Sequence, residues 1–350
     1  MGLLPTVRPP IVCSLTMSTN SNEPTSKSGR PRHAARRLRV ILILIFNVLA
    51  VLALSEFLLR VFDLKQVHLE PSDKNPGYRY DADVGWIGPA NTLTHLNASR
   101  PTTLRHNSLG LRDVEPAPSA GPTILFLGDS FVYGSDVEAE ERFTERLRED
   151  LPTVRIVNAG IAGYGTDQEY LLLQRLWPRV EPDVVVLIFC VDNDRDDNST
   201  NYRAAFKPYL TNVEGRWQFR GYPIPKAPQV CFYDNWFALH FASVRLAMVG
   251  YSSIRNHVVS VPDPTEQLFS MVRDLVQARG AKFLVGLERR EPALETFLNS
   301  KKIPYISFDE AERYPKWGGH WTPAGHTLVA QRLLTLLSKE GAIPAASASR

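Results

Sequence analysis

The sequence predicts an α/β domain built on a central parallel sheet and preceded by one long apolar helix. Two observations predict it. From Thr123 onward apolar runs of strand length alternate with amphipathic stretches of helical period, the pattern of strands joined by covering helices. Before that, Val40 to Phe62 reads VILILIFNVLAVLALSEFLLRVF, long enough at ~1.5 Å per helical residue to cross a ~30 Å hydrocarbon core.

Residues 1–39 carry Arg8, Lys27, Arg30, Arg32, Arg36, Arg37 and Arg39 against Glu23. The whole-chain charge of +3 therefore splits into +6 on this tail and −3 on the remainder, which argues against a general nucleic-acid surface. The tail is rich in Ser, Thr, Pro and Arg, so it is expected to be disordered, with Met17 an alternative start. Arg36, Arg37 and Arg39 abut the apolar run, which by the positive-inside rule leaves the N-terminus cytoplasmic and the rest of the chain on the far side of the membrane. A cleaved signal peptide is the competing reading; the length of the run and the lack of a small-residue cleavage site favour an uncleaved anchor over 40–62. Glu56 inside it is read as reaching the far interface.

Residues 63–122 form an extension rich in Pro, Asn and Asp. Tyr80 and Trp86 call for burial, so the extension is expected to pack on the main domain. Within 123–340 the first strand, Ile124-Leu125-Phe126-Leu127, empties into Gly128-Asp129-Ser130. Phe143, Leu147 and Leu151 mark the first helix. A second strand, Val154 to Val157, leads to a turn containing Gly163, and Thr166 with Glu169 reads as a capping box for a helix that Pro178 closes. The third strand, Asp183 to Val191, is the most apolar and is expected at the centre; it ends in Asp192-Asn193-Asp194. Residues 195–262 interrupt the rhythm with an aromatic-rich insertion, read either as a packing subdomain or as a lid whose rings suit sugar faces. Then follow a helix from Asp263-Pro264-Thr265 to Gly280, a strand Lys282 to Leu287, a helix Glu291 to Asn299 and a strand Pro304 to Phe308. The last helix is capped by Thr322 and opened by Pro323, with His320 in the loop before it and His326 in its first turn.

Ligands of an open α/β sheet bind at the carboxyl ends of its strands, so Ser130, Gly163 and Asn193 are expected at one edge. A serine hydroxyl needs an imidazole to take its proton, and His320 is the candidate. Charge on a tetrahedral intermediate needs well-aimed donors, each worth roughly 2.7–4 kcal/mol of barrier. Asp129 and Asp194 are read as bracing their turns by accepting backbone amides. His320 and His326 lack a third ligand, and the acidic run after Asp192 lacks the Gly and Glu of a calcium loop, so no metal and no cofactor are expected. Cys13, Cys190 and Cys231 show neither a disulfide framework nor metal spacing.

Taken together, Gly128-Asp129-Ser130, the Gly163 turn, Asn193-Asp194 and the late His320 resemble, in order, the four blocks of the SGNH or GDSL-type esterases and acyl hydrolases. The resemblance covers about residues 123–340. It implies a three-layer α/β/α, flavodoxin-like fold and acyl transfer through Ser130 with His320 as base. It also implies an oxyanion hole from the Ser130 amide, the Gly163 amide and the Asn193 side chain, without metal. The anchor, the stretch around Trp86 and Asn107-Ser108-Leu109-Gly110 are similar to membrane-anchored members that modify exported polysaccharides. One position departs from the pattern: the family's aspartate two or three residues before the histidine is replaced by Gly318 and Trp317. A Ser-His dyad, or an acid supplied by Asp309, Glu310 or Glu312, are the readings left open. The function expected is an anchored extracytoplasmic serine esterase that removes short acyl groups from carbohydrate or a similar surface substrate. The alternatives are an O-acyltransferase on an exported glycan and a silent glycan-binding or scaffolding relative.

Overall fold

A computed structural model describes residues 31–62, 64, 67–69, 77–97, 100–116, 121–203, 205–232, 235–315 and 319–344. The chain divides into two units, residues 1–57 and 58–350.

In the first unit helix α1 runs Pro31–Phe62, crossing into the second at its end. It begins inside the stretch expected to be disordered, because Ala, Arg and Leu between Pro31 and Val40 are good helix formers contiguous with the apolar run. Ala34–Phe62 is long and apolar enough to cross a bilayer, and its apolar side chains from Val40 to Leu54 are exposed. A helix of that composition fits a membrane anchor and a signal sequence alike.

The second unit is built on a five-stranded parallel sheet. After two small antiparallel ribbons in the extension, β1 Arg79–Asp81 with β2 Gly85–Ile87 and β3 Thr92–Asn97 with β4 Pro101–His106, the sheet strands are β5 Thr123–Gly128, β6 Arg155–Gly160 and β7 Val184–Phe189. An antiparallel hairpin of β8 Tyr209–Val213 and β9 Arg216–Arg220 lies in the insertion. β10 Lys282–Leu287 and β11 Tyr305–Ser307 complete the sheet, whose order is β11-β10-β7-β5-β6 with every pair parallel. The expected central strand is thus central, and the order is the flavodoxin-like one, with its switch point between β5 and β7.

Six consecutive residues of β5 and of β7 are buried, as a strand covered on both faces requires. One face packs Leu172, Leu173, Leu176, Phe269, Val272 and Leu294, from α4 Thr166–Val180, α9 Thr265–Ala278 and α10 Pro292–Ser300. The other packs Phe143, Leu147, Val329, Leu333 and Leu337, from α3 Phe143–Asp150 and α11 Pro323–Lys339. Each such side chain taken from water contributes roughly 1.5–3 kcal/mol before entropy. The remaining helices are short α2 Ser130–Tyr133 and α5 Asp194–Asn198, then α6 Pro228–Phe232, α7 Trp236–His240 and α8 Ala242–Arg255 in the insertion. From the extension, Val84, Trp86, Ile87 and Leu111 join the first core.

Local details differ from the sequence reading. Gly165, not Thr166, is the N-cap of α4; the Thr166 hydroxyl and both Glu169 oxygens are buried without a hydrogen-bond partner among the described residues. Pro178 sits inside the last turn, and Glu181, in the left-handed conformation, ends the helix. Pro264 is the N-cap of α9, while the Asp263 carboxylate accepts from the Thr265 amide at 2.9 Å. The Thr322 cap and the Pro323 start of α11 stand as read.

Candidate active site

The loop after β5 is short and steeply turned. Asp129 caps α2 by accepting the Phe131 amide at 2.9 Å, so Ser130 opens a one-turn helix that Gly134 closes in the left-handed conformation. The Ser130 carbonyl accepts from both the Gly134 and Ser135 amides at 3.0 Å. At the helix start the Ser130 N–H has no intrahelical partner. Helix α2 lies hard against β6: a Cβ on Gly160 would meet the Tyr133 nitrogen at 2.3 Å, so only glycine fits there.

His320 arrives from the other end of the chain. Its Nε2 lies 2.9 Å from Ser130 Oγ and its Nδ1 2.7 Å from Asp136 Oδ2. The ring stands edge-on to Phe131, 5.4 Å between centroids, and its carbonyl accepts from the Tyr314 amide at 2.9 Å. With Nδ1–H donated to a carboxylate, Nε2 is left as acceptor for the serine proton, the arrangement a nucleophile-base pair needs.

Asp136 is the residue that sequence reasoning missed. It is 1% exposed and holds φ +66°, a left-handed conformation that aspartate tolerates better than most residues. That turn folds the chain back after α2, so the candidate nucleophile Ser130 and the candidate acid Asp136 ride on one loop six residues apart. The acids expected in this role are engaged elsewhere. Asp309 accepts the Arg290 amide at 2.8 Å, Glu310 pairs with Arg332, and Glu312 accepts from the Thr322 hydroxyl at 2.6 Å. Trp317 and Gly318 lie outside the described residues. The one signal available was Gly134-Ser135-Asp136 itself, a turn sequence directly after the nucleophile.

The extension braces this loop. Asn107 accepts the Leu109 and Leu111 amides at 2.9 and 3.1 Å and so shapes the turn that presents Arg112. Arg112, 1% exposed, donates to the carbonyls of Tyr133 (3.2 Å), Gly134, Val137 (2.8 Å) and Thr103 (2.9 Å). It grips the backbone on both sides of Asp136. Asp113 accepts the Asn158 amide at 2.9 Å and Arg148 at 2.9 Å, tying the same segment to β6 and α3.

The oxyanion candidates follow adjacent strand ends. Gly128 is paired with Gly160 on one side and Ile188 on the other, so Ser130, the Gly163 turn and Asn193 leave the sheet side by side. Gly163 has φ +77°, which favours a residue without Cβ. The Asn193 carboxamide donates to Asp197 at 2.7 Å and Asp194 at 3.3 Å. Asp194 in turn accepts the Cys190 amide at 2.7 Å. Burial pushes the carboxyls of Asp129, Glu169 and Asp194 up, and for Glu169 and Asp194 the neighbouring acids push further. His326 is buried at about pKa 3, lowered by burial and then by Arg142, and its Nδ1 accepts the Phe143 amide at 3.3 Å. It is a neutral structural histidine. Burial also raises the Cys190 thiol. Among the described residues no group of acids, histidines and cysteines is arranged to hold a metal ion.

Among solved structures the chain is similar to TesA (15% identity, 62% of this chain and 98% of that one, TM-score 0.38). It is also similar to the psychrotrophic esterase EstA from Pseudoalteromonas sp. (11%, 63% and 98%, 0.37) and to the acetyl xylan esterase AlAXEase (14%, 61% and 98%, 0.36). No curated protein matches it. The model of the GDSL-like lipase/acylhydrolase family matches residues 126–328, more than half of the sequence and the span from β5 into α11 that carries Ser130, Asp136, Gly163, Asn193 and His320. The chain therefore belongs to the GDSL-like lipase/acylhydrolase family, whose members hydrolyse ester bonds.

Proposed function

We propose that the protein is a serine esterase working through an acyl-serine. The observation that carries this is the unbroken chain Ser130 Oγ, His320 Nε2, His320 Nδ1, Asp136 Oδ2, at 2.9 and 2.7 Å. Ser130 attacks the ester carbonyl while His320 takes its proton, and Asp136 stabilises the imidazolium that forms. The Ser130 and Gly163 amides and the Asn193 carboxamide receive the oxyanion. His320 then returns the proton to the leaving alcohol, and a water activated the same way releases the acid. The reading of a silent relative rested on a missing acid, and Asp136 stands where that acid is needed.

The alcohol part of the substrate is proposed to be a carbohydrate or a similar surface component. The support is the exposed rings of Trp217, Tyr222, Trp236 and Phe237 in the insertion, faces that suit sugar rings. Helix α1 is proposed to anchor the protein with its N-terminus cytoplasmic, on the strength of its apolar length and of Arg36, Arg37 and Arg39 ahead of its apolar run. A reporter fused at the C-terminus that is active in the cytoplasm would overturn that topology. The enzymatic reading is tested with p-nitrophenyl acetate and butyrate on the full chain. Turnover and an acyl adduct on Ser130 by mass spectrometry are expected, both lost in Ser130→Ala and His320→Ala; equal rates in all three proteins would end it.

A further inference from the structure

Beside the Gly163 turn an apolar cavity of about 370 Å³ is walled by Tyr78, Tyr80 and Trp86 of the extension and by Phe206, Pro225 and Ala227 of the insertion. Trp86 is its seam with the candidate site. Its indole N–H donates to the Ala162 carbonyl at 3.1 Å, and its ring lies 3.5 Å from where a Cβ on Gly163 would stand. The ring is held edge-on by Tyr164, 5.5 Å between centroids. Tyr80 donates to the Ile224 carbonyl at 2.7 Å, which joins the two walls.

Resting on the esterase reading above, we infer that this cavity receives the acyl chain of the substrate and selects a medium-length apolar one. Ala162 and Gly163 line the cavity, so a substituent of a tetrahedral carbon whose oxygen sits on the Gly163 amide has it as neighbour, and the apolar lining selects the acyl chain over the alcohol. The lining is almost wholly carbon, and its charged members are Arg79 and Arg203, the latter paired with Asp197 at 3.0 Å. Sugar hydroxyls would need convergent polar partners instead. At about 30 Å³ per water-sized group, 370 Å³ holds at most about twelve such groups, which far exceeds an acetyl methyl and leaves room for a chain of roughly six to ten carbons. The wall from Tyr78 to Trp86 precedes the family-matched stretch 126–328, so that part of the cavity belongs to the extension of this chain.

The test is kcat/KM of the full-length protein in detergent on p-nitrophenyl acetate, butyrate, hexanoate, octanoate, decanoate and palmitate. The rate constant is expected to rise by about fourfold per buried methylene to an optimum between hexanoate and decanoate, then fall for palmitate. Ala227→Phe, which fills the cavity, is expected to bring the octanoate-to-acetate ratio close to one, as is the milder Ala205→Leu. A binding arm separates failure of the cavity from failure of the esterase reading: octanoate is titrated into Ser130→Ala while tryptophan fluorescence is followed, with acetate as comparison. Saturable binding of octanoate alone, lost in the added Ala227→Phe, supports the cavity even if no ester turns over. Ser130-dependent turnover that is highest on acetate and falls from butyrate onward overturns the inference and leaves the esterase standing. Absence of octanoate binding also overturns it.

Discussion

Asp136→Asn is the sharpest perturbation of the proposed mechanism. The carboxylate accepts the Nδ1 proton of His320 at 2.7 Å and so keeps Nε2 as a lone pair facing Ser130 Oγ at 2.9 Å. An asparagine of nearly the same shape can present its NH2 to Nδ1. The imidazole then carries its proton on Nε2 and has no lone pair for the serine. A serine-protease triad loses about 10⁴ in turnover from this change, equivalent to roughly 5 kcal/mol at 1.36 kcal/mol per decade. Asparagine also tolerates φ +66°, so the fold is expected to survive and Tm to stay near the wild-type value. The assay is kcat/KM on the preferred p-nitrophenyl ester beside a thermal melt, with Asp309→Asn and Glu312→Gln as comparisons that retain full activity. A loss under tenfold in a folded Asp136→Asn, or an equal loss in either comparison, would refute the assignment.

Arg112→Met withdraws four donated hydrogen bonds from backbone carbonyls around Asp136. Each buried carbonyl left unpaired costs about 1–3 kcal/mol, so a stability loss of several kcal/mol is expected by denaturant melts, with kcat falling as the loop loosens. Arg112→Lys, which has one point charge in place of a fork, is expected to recover part of the stability and little of kcat. Gly163→Ala meets Trp86 at 3.5 Å and Arg203 at 3.9 Å, both ordinary contacts, so its cost comes from φ +77° and is roughly 1–2 kcal/mol of strain. A kcat loss of about 10-fold or more is expected without an increase in KM, since the strained amide swings from the oxyanion position. His326 has a folded pKa of about 3 against an ordinary 6.5. The unfolded chain therefore binds this proton first, and the stability due to neutral His326 is full above pH 6.5 and lost as pH falls from there toward 3. The Tm deficit of His326→Leu relative to wild type is expected to shrink between about pH 7 and 4; a constant deficit would count against it.

The sheet was legible because β5 and β7 are uninterrupted apolar runs that stop at Gly128 and the Asp192 turn, as burial on both faces demands, whereas β6, read to Val157, runs on through Asn158 to Gly160. Thr322 and Pro323 were legible as a helix start because capping is local chemistry. Asp136 was not, because its partnership depends on a left-handed residue folding the chain back over a span with no periodic signal. The family pattern points to the positions just before His320, where the chain offers Trp317 and Gly318, and then to the acids nearest in sequence. Proximity along the chain was the wrong measure. Arg112 lay beside a noticed motif, yet an arginine that satisfies four carbonyls reads in sequence as a surface charge.

On the proposed mechanism these contacts make the extension a support of the candidate site. Helix α2 is four residues long, far below the length at which a helix persists alone, so the loop carrying Ser130 owes its shape to what surrounds it. Asn158 supplies one support, donating to the Val132 carbonyl at 2.7 Å. Arg112 supplies the others, and Asp113 fixes Arg148 and the Asn158 amide. A chain beginning at Gly121 keeps all five strands of the sheet and every residue matched to the family, but it loses Arg112, Asp113 and the Trp86 that packs on Gly163. It is expected to melt well below a chain beginning at Gly77 and to lose kcat/KM by more than about 10²-fold at temperatures where both are folded by circular dichroism. Equal activity of the two would show that the loop holds its own geometry, and would leave the buried Arg112 without a part in positioning Asp136.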